Sequence, residues 1–129
     1  MSGNYLLDTN IVIALTSHDP AVEQRIRNSH SISYASIVLG ELYHGAYNSA
    51  RAPQNIQHVN ALALGNTVLT CDAETAAIYG KLKHALRVKG RPIPENDIWI
   101  AALAVQHSLT LATRDAHFHA VDGLAAEDW

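Results

Sequence analysis

The sequence predicts an α/β fold in which a mostly parallel sheet is covered by helices on both faces. Two observations carry that expectation. Strand-like and helix-like segments alternate along the chain, the pattern of βαβ units. The first strand candidate, Tyr5-Leu6-Leu7, is an unbroken apolar run, as a strand buried on both faces requires. At 129 residues and 48% hydrophobic content, the chain is long and apolar enough to build a real core. Residues 1–129 are therefore expected to form one domain, with no repeat, linker or low-complexity stretch.

Tyr5–Leu7 is the first strand, and Asn10–Thr16 a short helix after it. Asp19-Pro20 supplies an N-cap and a first-turn proline, opening a helix toward Asn28. Ser31–Tyr34 is the second strand. Ser36 can cap a helix from Ile37 to about Ala50, and Pro53 starts another through about Leu64, ended by Gly65. After a third strand, Thr67–Thr70, Asp72 caps a long helix from Ala73 to about Lys89, closed by Gly90 and Pro92. Asn96 or Asp97 opens the helix Ile98–His107, and Leu109–Ala112 is the fourth strand, with a further short one near Leu124. Ile11, Val12, Tyr43, Tyr47, Ile56 and Val59 read as core stripes of the early helices. The glycines at 40, 45 and 80 are expected to let helices approach closely.

Composition narrows the function classes. No apolar run approaches the ~18 residues needed to cross a bilayer, and no signal peptide precedes the first strand, so no membrane role is expected. Cys71 stands alone, which excludes an internal disulfide and points to a reducing, cytoplasmic setting. A formal charge of −3 makes no general case for nucleic acid, yet five of the nine Lys and Arg residues fall between Lys81 and Arg91. On a helix, Lys83 and Arg87 share a face beside His84. With Arg91 they read either as a solvated helix end that complements the dipole or as a strip contacting phosphates.

The acidic residues are more telling. Asp8 follows the first strand and Asp115 the fourth. Glu41 lies in the second turn of the helix after the second strand, and Asp97 at the start of the helix running on through Ile98-Trp99-Ile100. Three of these positions are strand-to-helix junctions or helix starts, so one sheet edge can gather them. Carboxylates so gathered repel one another unless a divalent cation neutralises them, and oxygen-only ligands favour Mg2+ or Mn2+ over zinc. The structural reading competes at each position. Asp8-Thr9-Asn10 also reads as a helix cap, Asp97 as an N-cap beside Asn96, and Glu41 as a solvated helix residue, although Val38, Leu39, Leu42 and Gly45 surround it in sequence. His117-x-His119 lacks the cysteine or third histidine that zinc would need nearby.

Four segments resemble, in order and spacing, the PIN domain. They are Leu6-Leu7-Asp8-Thr9-Asn10, Gly40-Glu41-Leu42-Tyr43-His44-Gly45-Ala46, Pro92 through Ala102, and Leu111-Ala112-Thr113-Arg114-Asp115. More narrowly, they are similar to the toxin half of VapBC toxin–antitoxin systems, over essentially the whole chain. The resemblance implies a three-layer α/β/α sandwich and an Mg2+- or Mn2+-dependent endoribonuclease. It implies an acidic quartet of Asp8, Glu41, Asp97 and Asp115, with Asp8, Asp97 and Asp115 as metal ligands. Thr9, Asn10 and Thr113 match the family's hydroxyl and amide positions beside them. Many relatives nearest to the Glu-Leu-Tyr-His-Gly-Ala pattern carry Asn at the position of Asp115, and Asp122 offers another anion close by.

Further expectations follow from that likeness. Glu41 would orient or deprotonate the attacking water, or help hold a second metal brought in by substrate, and cleavage would leave a 5′-phosphate and a 3′-hydroxyl. The partners implied are a VapB-like antitoxin, a second copy of the chain in a homodimer, and an RNA substrate. The Gly-Glu-Leu-Tyr-His-Gly-Ala segment is similar to the subgroup that cuts tRNA near the anticodon. Two other functions remain open: a module that binds metal or RNA without turnover, and a phosphotransfer protein using Asp8, for which Thr9-Asn10 lacks the usual second acid.

Overall fold

A computed structural model describes residues 3–129. The elements run β1 (Asn4–Leu7), α1 (Thr9–Thr16), α2 (Pro20–Arg27), β2 (Ser31–Ala35), α3 (Ser36–Tyr47), α4 (Ala52–Gly65), β3 (Thr67–Leu69), α5 (Ala73–Lys89), α6 (Glu95–Gln106), β4 (Thr110–Thr113) and β5 (Ala126–Asp128). A 3-10 turn at Ala116–Ala120 lies between the last two strands. The five strands form one sheet in the order β3-β2-β1-β4-β5, and every described pairing is parallel, with Leu6 opposite Ser33 on one side and Leu111 on the other. The short strand expected near Leu124 is the edge strand β5, slightly later in the chain. Helices cover the sheet, giving the expected three-layer arrangement.

The strand order places the site. From β1 the chain moves outward through β2 to β3, then crosses back so that β4 lies on the other side of β1. Loops leaving β1 and β4 therefore part in opposite directions, opening a crevice at the carboxyl ends of these two strands. Asp8 and Asp115 follow them directly.

Local chemistry sets most boundaries. The Asp19 side chain accepts from the backbone N–H groups of Ala21 and Val22, with Pro20 in the first turn of α2. Asp72 and Thr75 form a reciprocal capping box on α5, which Gly90 ends at φ +72°. Two expected caps differ. Ser36 is already helical, and Ala35 caps α3 without a side-chain bond. α6 starts at Glu95 behind Pro94, whose carbonyl accepts from Asp97 N at 3.1 Å and Ile98 N at 3.2 Å. Proline's extended backbone opens that helix, so the Asp97 carboxylate is free of capping duty.

Leu6, Leu7, Ile11, Val12, Ile100, Leu103, Leu111 and Phe118 are fully buried at the centre of the core. Leu39, Ala46 and Val59 form a smaller cluster between α3 and α4. Tyr47, read as core, is instead 69% exposed. Gly40, Gly45 and Gly80 have nothing within 4 Å of where a Cβ would stand, so no close helix approach inside the chain depends on them.

Candidate active site

Asp8 is the deepest of the acidic residues, only 3% exposed. Its Oδ1 accepts from Thr9 N at 2.8 Å, which caps α1, and its Oδ2 accepts from the Thr113 hydroxyl at 2.7 Å. Thr113 is fully buried at the end of β4, and its Oγ1 also accepts from Asp115 N at 3.0 Å. One hydroxyl thus ties together the residues that follow two adjacent strands. Asn10 adds a second tie: its Oδ1 accepts from Arg114 N at 3.3 Å, and its Nδ2 reaches Asp115 Oδ2 at 3.4 Å. Asp115 itself is exposed.

Asp8, Glu41, Asp97 and Asp115 line a single cleft of about 600 Å³, together with Thr9, Asn10, Ile13, Pro94, Glu95 and Asn96. Burial raises the pKa of three of them. Asp8 is pushed above the ordinary range by desolvation, which the bonds from Thr113 and Thr9 partly counter and the Asp115 charge reinforces. Desolvation also raises Glu41, partly offset by the facing Thr9 hydroxyl, with the charges of Asp97 and Asp8 adding to the rise. Asp97 is raised by desolvation and by Asp8, against a lowering contribution from His117. Burial and the nearby like charges both disfavour the ionised carboxylates.

The donor set suits a hard divalent cation, since oxygen ligands of this kind are those Mg2+ and Mn2+ take. Glu41 Oε1 and the Thr9 hydroxyl are buried without a well-aligned hydrogen-bond partner, so the cleft holds acceptor capacity that the protein itself does not use. Among the described residues, however, no three His, Cys, Asp or Glu side chains already stand at ion-sharing spacing. Asp115, exposed and restrained at its carboxylate by one long contact, is the carboxylate best able to turn inward.

The basic strip lies next door. Lys83 and Arg87 line a groove with Leu86, Pro92, Ile93, Glu95 and Ile98, and Glu95 stands on the ridge between this groove and the acidic cleft. Lys83 is already engaged, by an ion pair to Glu95 that also takes in the Tyr79 hydroxyl. Arg91 is exposed beyond the end of α5, outside the groove. Glu95 is the residue that sequence reasoning passed over at this site, and His117 was weighed only with His119 as a zinc ligand. His117 Nε2 lies 2.8 Å from Asp97 Oδ2. No spacing signal marked this contact, which the 3-10 turn after β4 brings about.

The PIN domain family model matches residues 5–124. The chain is 33% identical to Ribonuclease VapC1 of Haemophilus influenzae, with 97% of each sequence covered. It is equally 33% identical, over 97% of both, to the tRNA(fMet)-specific endonuclease VapC of Shigella flexneri. Among solved structures, VapBC2 from Rickettsia felis, bound to a DNA fragment from its promoter, matches with a TM-score of 0.86. That likeness has 31% identity and spans 100% of this chain and 99% of that one.

Proposed function

This chain belongs to the PIN-domain family, within its VapC group, and we propose that it is the endoribonuclease toxin of a toxin–antitoxin pair, cutting RNA with a divalent cation held in the acidic cleft. The convergence of Asp8, Glu41, Asp97 and Asp115 on one crevice at the topological switch point carries this reading. Asp8, Asp97 and Asp115 would hold Mg2+ or Mn2+, which supplies Lewis-acid activation and neutralises charge on the phosphate. Glu41, half-buried and poorly solvated, takes the proton of the attacking water. Thr113, Thr9 and Asn10 fix the orientation of the carboxylates. Lys83 and Arg87 meet the RNA backbone from the adjoining groove and Arg91 from beyond the end of α5, Lys83 exchanging Glu95 for a phosphate.

The preferred substrate is tRNA, supported by the likeness to the Shigella endonuclease. The partners proposed are a VapB-like antitoxin, as in the Rickettsia complex, and a second copy of the chain. No described helix is long and apolar enough to cross a membrane, and action on cellular RNA sets the proposed location in the cytoplasm. Residues 1–129 act in this proposal as one PIN domain.

The test is expression of wild type and Asp8→Ala in a bacterium, with mapping of new RNA 5′ ends. Growth arrest and a discrete 5′-phosphate end in wild type alone are expected; equal ends in both strains would overturn the assignment. The competing reading is a module that binds metal or RNA without turnover. RNA left intact by pure protein with Mg2+ or Mn2+ would select it.

A further inference from the structure

His117 sits on the 3-10 turn after β4, and its Nε2 is 2.8 Å from Oδ2 of Asp97 on α6. Proximity alone suggests an ion pair, but Nε2 is buried and has no well-aligned hydrogen-bond partner, so the ring does not point its N–H axis along an oxygen lone pair. The ring also lies against Phe118, its fully buried neighbour in sequence, at a centroid distance of 4.8 Å. The imidazole thus stands beside Asp97 with its Nε2 left unsatisfied.

The spacing has a second meaning. Ligands of a small octahedral cation lie at ~2.0–2.1 Å, so two at right angles are about 3 Å apart. Asp97 Oδ2 and His117 Nε2 already have this separation. An imidazole nitrogen favours transition-metal ions, whereas Mg2+ prefers oxygen and water.

We propose that His117 contributes a nitrogen donor to the cation site built on Asp97, so that this chain takes first-row transition divalent cations in preference to Mg2+. The proposal rests on the reading that the acidic cleft binds a cation, and it adds to the carboxylate set a ligand of a different chemical kind. It also fixes which side of Asp97 the cation occupies: the face turned to the 3-10 turn. The all-oxygen case for Mg2+, drawn from the quartet alone, is then incomplete.

Pulsed electron paramagnetic resonance of Mn2+ bound to the full-length protein separates the two claims. Wild type should show modulation from a directly bound 14N nucleus, and His117→Gln and His117→Ala should bind Mn2+ without it. In competition, wild type should need roughly tenfold more Mg2+ to release Mn2+ than either variant does, the scale seen when a metal-site contact is removed. Circular dichroism confirms folding, and His117→Gln preserves most of the side-chain bulk should the alanine variant unfold. Mn2+ that binds wild type but not Asp97→Ala, with no nitrogen coupling, would overturn the role of His117 and leave the cation site standing. Absence of Asp97-dependent Mn2+ binding would overturn both. Tighter Mg2+ binding by His117→Gln would mark the histidine as a competing counter-ion and also refute the proposal.

Discussion

Thr113→Val removes one hydroxyl from the most heavily used hydrogen bond of the site. Thr113 is fully buried, donates to Asp8 Oδ2 at 2.7 Å and accepts from Asp115 N at 3.0 Å. A hydrogen bond to an ionised group is worth about 1.5–3 kcal/mol, and the partly buried Asp115 N–H left without an acceptor adds about 1 kcal/mol. The new methyl group, buried where the hydroxyl stood, returns about 0.8 kcal/mol. The expected net loss is about 2–3 kcal/mol. With an unfolding entropy of about 2 cal/mol/K per residue, this is a fall of roughly 8–11 °C in Tm for a chain of this length. The loss should shrink as pH falls, because the Thr113 hydrogen bond stabilises the ionised form of Asp8 and holds down a carboxyl that burial pushes up. Thr113→Ser keeps the hydroxyl and should lose much less. RNA cleavage by Thr113→Val should drop about 10–100-fold as Asp8 loses its orientation. Thermal melts from pH 4 to 8, without added divalent cation, check the sequence of effects. Equal losses in the valine and serine variants, or a valine deficit independent of pH, would show that the hydroxyl does not act on ionised Asp8.

Other outcomes follow from the same geometry. Asp8, Glu41 and Asp97 are all raised in the folded state, so their stabilising contribution is complete below the ordinary carboxylate range and is lost as pH climbs through the raised values. Asp8→Asn should therefore gain in Tm relative to wild type on going from pH 4 to 7 in chelator, and a gap constant over that window would contradict the origin given for the shift. Added Mg2+ or Mn2+ should raise the Tm of wild type and leave Asp8→Asn and Asp97→Asn nearly unmoved, as differential scanning fluorimetry can read. Neutralising Lys83, Arg87 and Arg91 together should weaken RNA binding and flatten its salt dependence by about two logarithmic units per decade of salt, at ~0.7 for each single-strand phosphate contact. Lys83 alone should contribute least, because Glu95 must release it first; an unchanged slope in the triple variant would leave only a solvated helix end.

Much of the fold was legible because the strongest signals are local. An apolar run without alternation marked β1, and Asp19-Pro20 and Asp72 with Gly90 gave helix boundaries that the hydrogen bonds reproduce. The start of α6 was misjudged for a physical reason: Asn96 and Asp97 are better cap formers than proline by side chain, yet Pro94 satisfies the first turn through its carbonyl. Tyr47 shows the limit of periodicity, which marks an apolar stripe without saying whether the chain itself covers it. The gathering of Asp8, Glu41, Asp97 and Asp115 was foreseeable from their places at element ends and from the family likeness. The Asp97–His117 contact joins residues 20 apart in sequence through a turn with no periodic signature, so spacing could not have revealed it.

Asp8 also shows why capping and chemistry need not compete for one residue. A carboxylate has about four acceptor positions, and the hydrogen bonds from Thr9 N and the Thr113 hydroxyl occupy two. The cap fixes Oδ1 against the first turn of α1, and Thr113 fixes Oδ2 against β4, so the side chain is immobilised while it still lines the cleft. The amino end of α1 further favours negative charge at this point, opposing the desolvation that raises its pKa. A helix cap is thus an effective way to present an anion at a strand end: it removes rotamer freedom before any ligand arrives. If that is the reason for the Asp8-Thr9 junction, Asp8→Glu should fail more severely in cation binding than in stability. The longer side chain keeps the charge but cannot cap α1 and meet Thr113 at once. Comparable losses in Mn2+ affinity and in Tm, expressed as free energies, would show that the cap contributes nothing beyond holding the helix.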